Sequence, residues 1–137
     1  MLEYDLTATW QGETGSTALT HDATVDMDTT IAGGRGALNP AELLLAAVAA
    51  CMIKGVERAA PMLKFSFTSL TVSLHATRQD APPKMTSIVY RMMIGTEESD
   101  HRLELLHTNV RKYGTISNTI AGAVDLSGTV ERAPIAG

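Results

Sequence analysis

Cysteine is nearly absent from this sequence. Only one of the 137 residues, Cys51, carries a thiol, so the chain can form no internal disulfide and offers no cysteine pair to a zinc ion. A secreted scaffold held together by disulfides is therefore excluded. The single thiol leaves two interpretations open. It is either a reactive group or a small apolar side chain that fills space in a core.

Basic residues and long apolar segments are also scarce. Residues 1–34 contain no Lys or Arg, and the whole chain has a net charge of −4, which argues against the basic surface that nucleic acids require. The longest apolar run, residues 43–53, is shorter than the roughly 20 residues that cross a bilayer. The N-terminus also lacks the basic and apolar regions of a signal peptide. We therefore expect a cytoplasmic protein that binds neither nucleic acid nor membrane.

The length and composition predict one folded domain over residues 1–137. The chain is 45% hydrophobic and 19% charged, which is typical of a globular protein. Its first part alternates polar and apolar residues. Residues 2–10 predict a strand with one half-buried face, residues 16–21 a second strand joined to it as a hairpin, and residues 23–30 a third.

A long helix follows a glycine-rich loop. Asn39 is a favourable N-cap, Pro40 suits the first helical position, and Glu42 completes a capping box. The body is apolar on all sides, which predicts burial all round, and Pro61 is expected to end it. Because one small domain's sheet can cover only one side of such a helix, the other side predicts a second subunit, hence a homodimer.

The second half of the chain predicts two strands, two helices and a last strand. The first strand spans residues 64–77, with a bulge near residues 68–69 where the apolar register switches. A turn at residues 80–83 leads to a strand over 85–94. Ser99 caps a helix that reaches about Tyr113, and a short helix near 117–123 precedes a strand over 124–132. The order βββαββααβ indicates an α+β fold without βαβ repeats.

Few residues could carry chemistry. The sequence has no nucleophile elbow and no HExxH pattern. His101 and His107 are six positions apart on the predicted helix, about 240° around it, so they cannot share a metal ion. We expect neither a metal nor a cofactor. Cys51 lies within the apolar helix, and Lys54, one turn later, is the nearest cation on that helix that could stabilise a thiolate.

The helix carries a resemblance to a known family. Residues 36–51, with Asn39-Pro40, a Leu-Leu pair, small residues and Cys51, resemble the signature of the OsmC/Ohr family, and residues 78–84 resemble that family's proline-containing turn. The resemblance implies an interlocked homodimer in which antiparallel sheets of both chains wrap around long central helices. It also implies a peroxiredoxin-like thiol peroxidase of the oxidative and osmotic stress response. In the family's peroxidases a first cysteine attacks an organic hydroperoxide, and a second cysteine resolves the product.

Only some of the family's site residues are present. Cys51 matches the first cysteine, whereas Gly114 occupies the position expected for the second. In the family the second cysteine usually lies in a Cys-Pro-x-Ser motif, and the corresponding segment here ends at Ser117. The family's glutamate position is Ala41, and the acid lies one later at Glu42, which favours a capping role. The first hairpin loop also lacks the arginine that stabilises the thiolate in the family, so the basic candidates to replace it are Arg35 and Lys54.

Two functions follow from this comparison. The first is a one-Cys hydroperoxide reductase in which Cys51, with Glu42 as the acidic candidate, uses an external thiol as reductant. The alternative is a catalytically degenerate dimeric binding module for a lipid-like or acyl-like ligand. We expect such a ligand to occupy an apolar pocket at the dimer interface, lined by Met52, Met62, Met92 and Met93. A purely structural homodimer is a third possibility.

Overall fold

The computed structural model describes residues 1–34 and 36–134. The chain divides into two compact units, Met1–Leu44 and Leu45–Gly137, which are described separately. The single-domain organisation therefore stays a prediction. Among the described helices, none has the length and apolar character needed to span a membrane.

The first unit contains a three-stranded antiparallel sheet. Its strands are β1 (Thr7–Trp10), β2 (Ser16–Thr20) and β3 (Ala23–Met27), in the order β1-β2-β3. The predicted hairpin is confirmed, with a short 3-10 turn at Gly12–Thr14 between β1 and β2. β1 is shorter than predicted. Because β2 ends at Thr20, which lies opposite Leu6 in this register, the residues before Leu6 have no strand opposite them.

The apolar face predicted for the first strand is not half-buried. Trp10 is 78% exposed, and both faces of β1 are open to solvent. The described residues before Pro40 form only short strands, loops and the 3-10 turn, so they provide no second layer that could cover the face. Large apolar side chains therefore stay exposed in this unit, among them Leu2, Tyr4, Leu6, Leu19 and Val25.

Helix α1 spans Pro40–Leu63. Its capping box is confirmed, because the Glu42 backbone N–H donates to Asn39 Oδ1 at 2.8 Å and the Asn39 N–H donates to Glu42 Oε1 at 3.0 Å. The predicted end at Pro61 is wrong by two residues, about half a turn. The proline φ fits a helix and only one donor is lost. The helix ends at Leu63, because Lys64 takes a left-handed conformation with a φ of 51°, and the Phe65 N–H donates to the Ala60 carbonyl.

The second unit contains a mixed sheet and two further helices. Strands β4 (Ser69–Asp80) and β5 (Pro83–Gly95) are antiparallel, whereas β6 (Asp125–Arg132) pairs parallel to β5. Helices α2 (Asp100–Tyr113) and α3 (Thr115–Ile120) lie between β5 and β6 in the chain and allow the crossover that a parallel pair requires. The order βββαββααβ is confirmed, but the sheets are not all antiparallel as expected.

Three details of this unit differ from the predictions. β4 begins at Ser69, because residues 64–68 form the exit from α1 rather than a strand, and this explains the switch of apolar register. The irregularity in the β4–β5 ladder lies between Thr77 and Arg78 instead of near residues 68–69. α3 begins two residues earlier than expected.

The hydrophobic core of the second unit is built on one stripe of α1. The buried stripe packs in a cluster with side chains of β5, α2 and β6, and its members on α1 are Val48, Met52, Val56, Ala59 and Ala60. Burial of α1 on all sides, which needs a second subunit, stays a prediction. The other side is open, and Ile53 is 41% exposed, because this unit covers the helix from one side only, as its small size predicted.

Candidate active site

Cys51 lies at the edge of the buried stripe of α1. It is a free, partly exposed cysteine between the exposed Ala50 and the fully buried Met52. The thiol is therefore neither sequestered in the core nor fully in solvent. A side chain at such a border can be reached by a small reagent while protein atoms fix its position.

Gly114 lies directly against the Cys51 thiol. This residue separates α2 from α3 and has extended backbone angles, φ −79° and ψ 115°. A Cβ at position 114 would lie 3.2 Å from Cys51 Sγ and 3.0 Å from the Val110 carbonyl oxygen. The structure thus brings together Cys51 and the position at which the resemblance places a second cysteine.

Two contacts hold the end of α2 against α1. A Cβ at Gly55 would lie only 3.1 Å from Val110 Cγ1, so the absence of a side chain lets the helices approach closely at this point. Arg58 donates to Asn109 Oδ1 at 2.8 Å and to the Tyr113 carbonyl at 3.4 Å, and its guanidinium lies 5.4 Å from the Tyr113 ring centroid. The sequence contains no signal for this role of Arg58, because its partners are more than 50 residues away.

Ser117 faces the same point from α3. It is 1% exposed, and its hydroxyl has no hydrogen-bond partner within the described part of the chain. Ser117 Oγ lies 3.2 Å from the Cβ position of Gly114, as does Cys51 Sγ, so the two atoms are no further apart than twice that distance. The sequence contained a signal for Ser117, since it occupies the serine position of the family's second-cysteine segment.

The remaining site candidates are the acidic Glu42 and the basic Lys54 and Arg35. The Glu42 side chain accepts the Asn39 N–H, which confirms its capping role, and a catalytic role for Glu42 stays a prediction. Lys54 is exposed on α1. Arg35 lies outside the described residues.

A second polar network lies between β5 and α2. The buried Tyr90 hydroxyl is 2.5 Å from His107 Nε2 and accepts from Arg111 Nη1 at 3.0 Å. Burial lowers the pKa of His107, the Glu104 carboxylate opposes this change, and the Arg111 charge adds to it. The neutral imidazole is therefore favoured in the folded protein.

Within the single chain, the four methionines do not line one pocket, and a pocket at a dimer interface stays a prediction. A cleft of about 820 Å³ in the second unit is lined by residues 64–69, 95–98 and 133–134, apart from residue 65, and not by Cys51. Met52 and Met92 are fully buried in the core, whereas Met62 is 68% exposed, so these side chains do not line one common surface. Within residues 1–34 and 36–134, no three His, Cys, Asp or Glu side chains are grouped as metal ligands would be.

Comparison with known proteins assigns the family. The family model described as OsmC-like protein matches residues 33–127, which is more than half of the chain. The chain belongs to the OsmC-like family. The match includes Cys51, Gly114 and Ser117. A search of curated proteins found no match to this OsmC-like chain.

Solved structures support the OsmC-like fold along almost the entire chain. An OsmC like protein from Mycoplasma pneumoniae has a TM-score of 0.88 at 19% identity, with 97% of this chain and 99% of that chain covered. An organic hydroperoxide resistance protein OsmC from Legionella pneumophila has a TM-score of 0.74 at 24% identity, with 96% and 99% covered. One from Elizabethkingia anophelis, also named an organic hydroperoxide resistance protein, has a TM-score of 0.73 at 14% identity, with 96% and 98% covered.

Proposed function

We propose that this OsmC-like protein reduces organic hydroperoxides through Cys51 and is recycled by an external thiol. One observation carries the proposal: the partly exposed Cys51 thiol lies against position 114, where the family's second cysteine is expected and where this chain has glycine. The names of the neighbours from Legionella pneumophila and Elizabethkingia anophelis support the class of substrate. A cytoplasmic location stays a prediction from the sequence.

The proposed reaction has two stages. The Cys51 thiolate attacks the terminal oxygen of the hydroperoxide, so that an S–O bond forms and the O–O bond breaks. Sulfur is oxidised by two electrons, and the alkoxide takes up a proton and leaves as an alcohol. Since Gly114 supplies no sulfur, one external thiol displaces water to form a mixed disulfide, and a second thiol releases Cys51.

We further propose that the working form is a homodimer. Exposed apolar side chains in each unit support this proposal, notably Trp10 in the first unit and Ile53 and Met62 on α1 in the second. Large apolar side chains that are exposed in a single chain are often covered by a second subunit in homo-oligomers. Light scattering is expected to give twice the 14.6 kDa mass of the chain. A monomer would contradict the proposal.

The activity is tested with cumene hydroperoxide and excess dithiothreitol. Wild-type protein is expected to consume the hydroperoxide, and Cys51→Ser is expected to abolish consumption because it removes the nucleophile. Consumption that survives in Cys51→Ser, or that is absent from the wild type, would refute the proposal. In the latter case, a lipid that co-purifies with the protein would favour the alternative of an apolar-ligand binding module.

Glu42 enters the same assay as the acidic candidate. Glu42→Gln removes the charge but keeps a side-chain oxygen for the Asn39 N–H, so it preserves the cap. Because the carboxylate is already held in the cap, we expect unchanged hydroperoxide consumption. A large loss in Glu42→Gln with unchanged thermal stability would assign the carboxylate to catalysis instead.

A further inference from the structure

We infer that the Ser117 hydroxyl holds the oxygen that Cys51 acquires on oxidation. The inference rests on the proposed function. In the reduced protein Ser117 is 1% exposed, and its hydroxyl has no partner among the described residues. Burying a hydroxyl without a partner costs free energy. A second state of the protein, in which the Ser117 hydroxyl donates to an acceptor, explains why the reduced protein carries this cost.

The distances are compatible with one oxygen atom between the two side chains. Cys51 Sγ and Ser117 Oγ both lie 3.2 Å from the Cβ position of Gly114, and no hydrogen bond joins them in the reduced protein. An S–O bond followed by an O–H···O hydrogen bond of about 2.7 Å spans roughly 4 Å. That span is shorter than the largest possible distance between Cys51 Sγ and Ser117 Oγ, which is twice 3.2 Å. An oxygen on Cys51 can therefore accept from Ser117, whereas the sulfur alone does not.

Such a hydrogen bond protects the oxidised cysteine. A second hydroperoxide converts a sulfenic acid to a sulfinic acid, when the sulfur lone pair attacks another O–O bond and a second alcohol leaves. A donor on the sulfenic oxygen withdraws electron density from sulfur and slows this attack. The protection matters here because Gly114 provides no internal thiol, so the sulfenic acid must last until an external thiol arrives.

Three variants test the role of Ser117. Ser117→Ala removes the hydroxyl, Ser117→Thr retains one, and Ser127→Ala removes an exposed hydroxyl on β6 as a matched control. Each reduced protein is treated with excess hydrogen peroxide. Mass spectrometry then follows the sulfenic form of Cys51, trapped with dimedone, and its conversion to the sulfinic form.

We expect Ser117→Ala to form the sulfinic acid about two- to tenfold faster than the wild type, the range for loss of one neutral hydrogen bond. Ser117→Thr and Ser127→Ala are expected to match the wild type. Thermal unfolding of reduced Ser117→Ala is expected to show equal or greater stability, because the variant removes a buried hydroxyl that lacks a partner. Equal sulfinic rates in Ser117→Ala and wild type, or a destabilised reduced Ser117→Ala, would overturn the inference.

The assay separates this inference from the proposed function. Hydrogen peroxide in excess oxidises Cys51 whether or not organic hydroperoxides are substrates. A wild type that forms the sulfenic acid but does not consume cumene hydroperoxide contradicts only the proposed function. A wild type whose Cys51 acquires no oxygen contradicts both. A Ser117→Ala that does not fold counts as destabilised and also overturns the inference, because removal of a buried hydroxyl without a partner is not expected to destabilise the reduced protein.

Discussion

Gly114→Cys is expected to form a disulfide with Cys51. The extended backbone at position 114 suits any L-residue. The 3.2 Å between its Cβ position and Cys51 Sγ is close to the separation of about 3 Å that a disulfide imposes between a Cβ and the far sulfur. The second sulfur can therefore bond to Cys51 with little movement of the backbone.

The magnitude follows from the length of the closed loop. Residues 51 and 114 are 63 positions apart, and loop-closure entropy predicts a stabilisation of about 4 kcal/mol for such a cross-link. Crowding reduces this value, because the new Cβ would also lie 3.0 Å from the Val110 carbonyl oxygen and 3.2 Å from Ser117 Oγ. We expect a net gain of about 2–4 kcal/mol, or roughly 5–15 °C in Tm for a chain of this size.

The measurement is thermal unfolding of the oxidised variant with and without dithiothreitol, together with a count of free thiols. Oxidised Gly114→Cys is expected to have no free thiol and to lose its extra stability on reduction. Gly122→Cys is the matched control, because a Cβ there would meet nothing within 4 Å, and it is expected to form no internal disulfide. Two free thiols in oxidised Gly114→Cys would refute the placement of position 114 beside Cys51.

Two further predictions concern the surroundings of the site. Gly55→Ala is expected to destabilise the protein by about 1 kcal/mol, since crowding against Val110 outweighs the gain in helix propensity. Urea unfolding measures this change in stability. Gly122→Ala is the control and is expected to be neutral, because a Cβ there would meet nothing within 4 Å. Because burial lowers the pKa of His107, the unfolded chain binds more protons than the folded one below the ordinary pKa near 6.5, so stability is expected to fall as the pH drops from 7.5 to 5. His107→Gln is expected to flatten this dependence in thermal unfolding across that range, and an unchanged slope would contradict it.

Much of the fold followed from local patterns. The cap at Asn39, the hairpin and the order βββαββααβ depend on neighbouring residues, and the structure confirms them. The predictions were wrong where contacts between distant parts of the chain determine the structure. Whether β6 runs parallel or antiparallel to β5 depends on the path that the chain takes through α2 and α3. Helix α1 continues past Pro61 and ends only where Lys64 takes a left-handed conformation.

The candidate site divides in the same way. The sequence by itself determined that Cys51 is the chain's one thiol, that it lies on a long apolar helix, and that no second cysteine can resolve it. Only the tertiary structure decided what surrounds that thiol. Gly114 and Ser117 are more than 60 positions away and reach Cys51 because α2 packs closely against Gly55. Close packing between distant segments depends on side-chain shape in three dimensions, which no local pattern encodes.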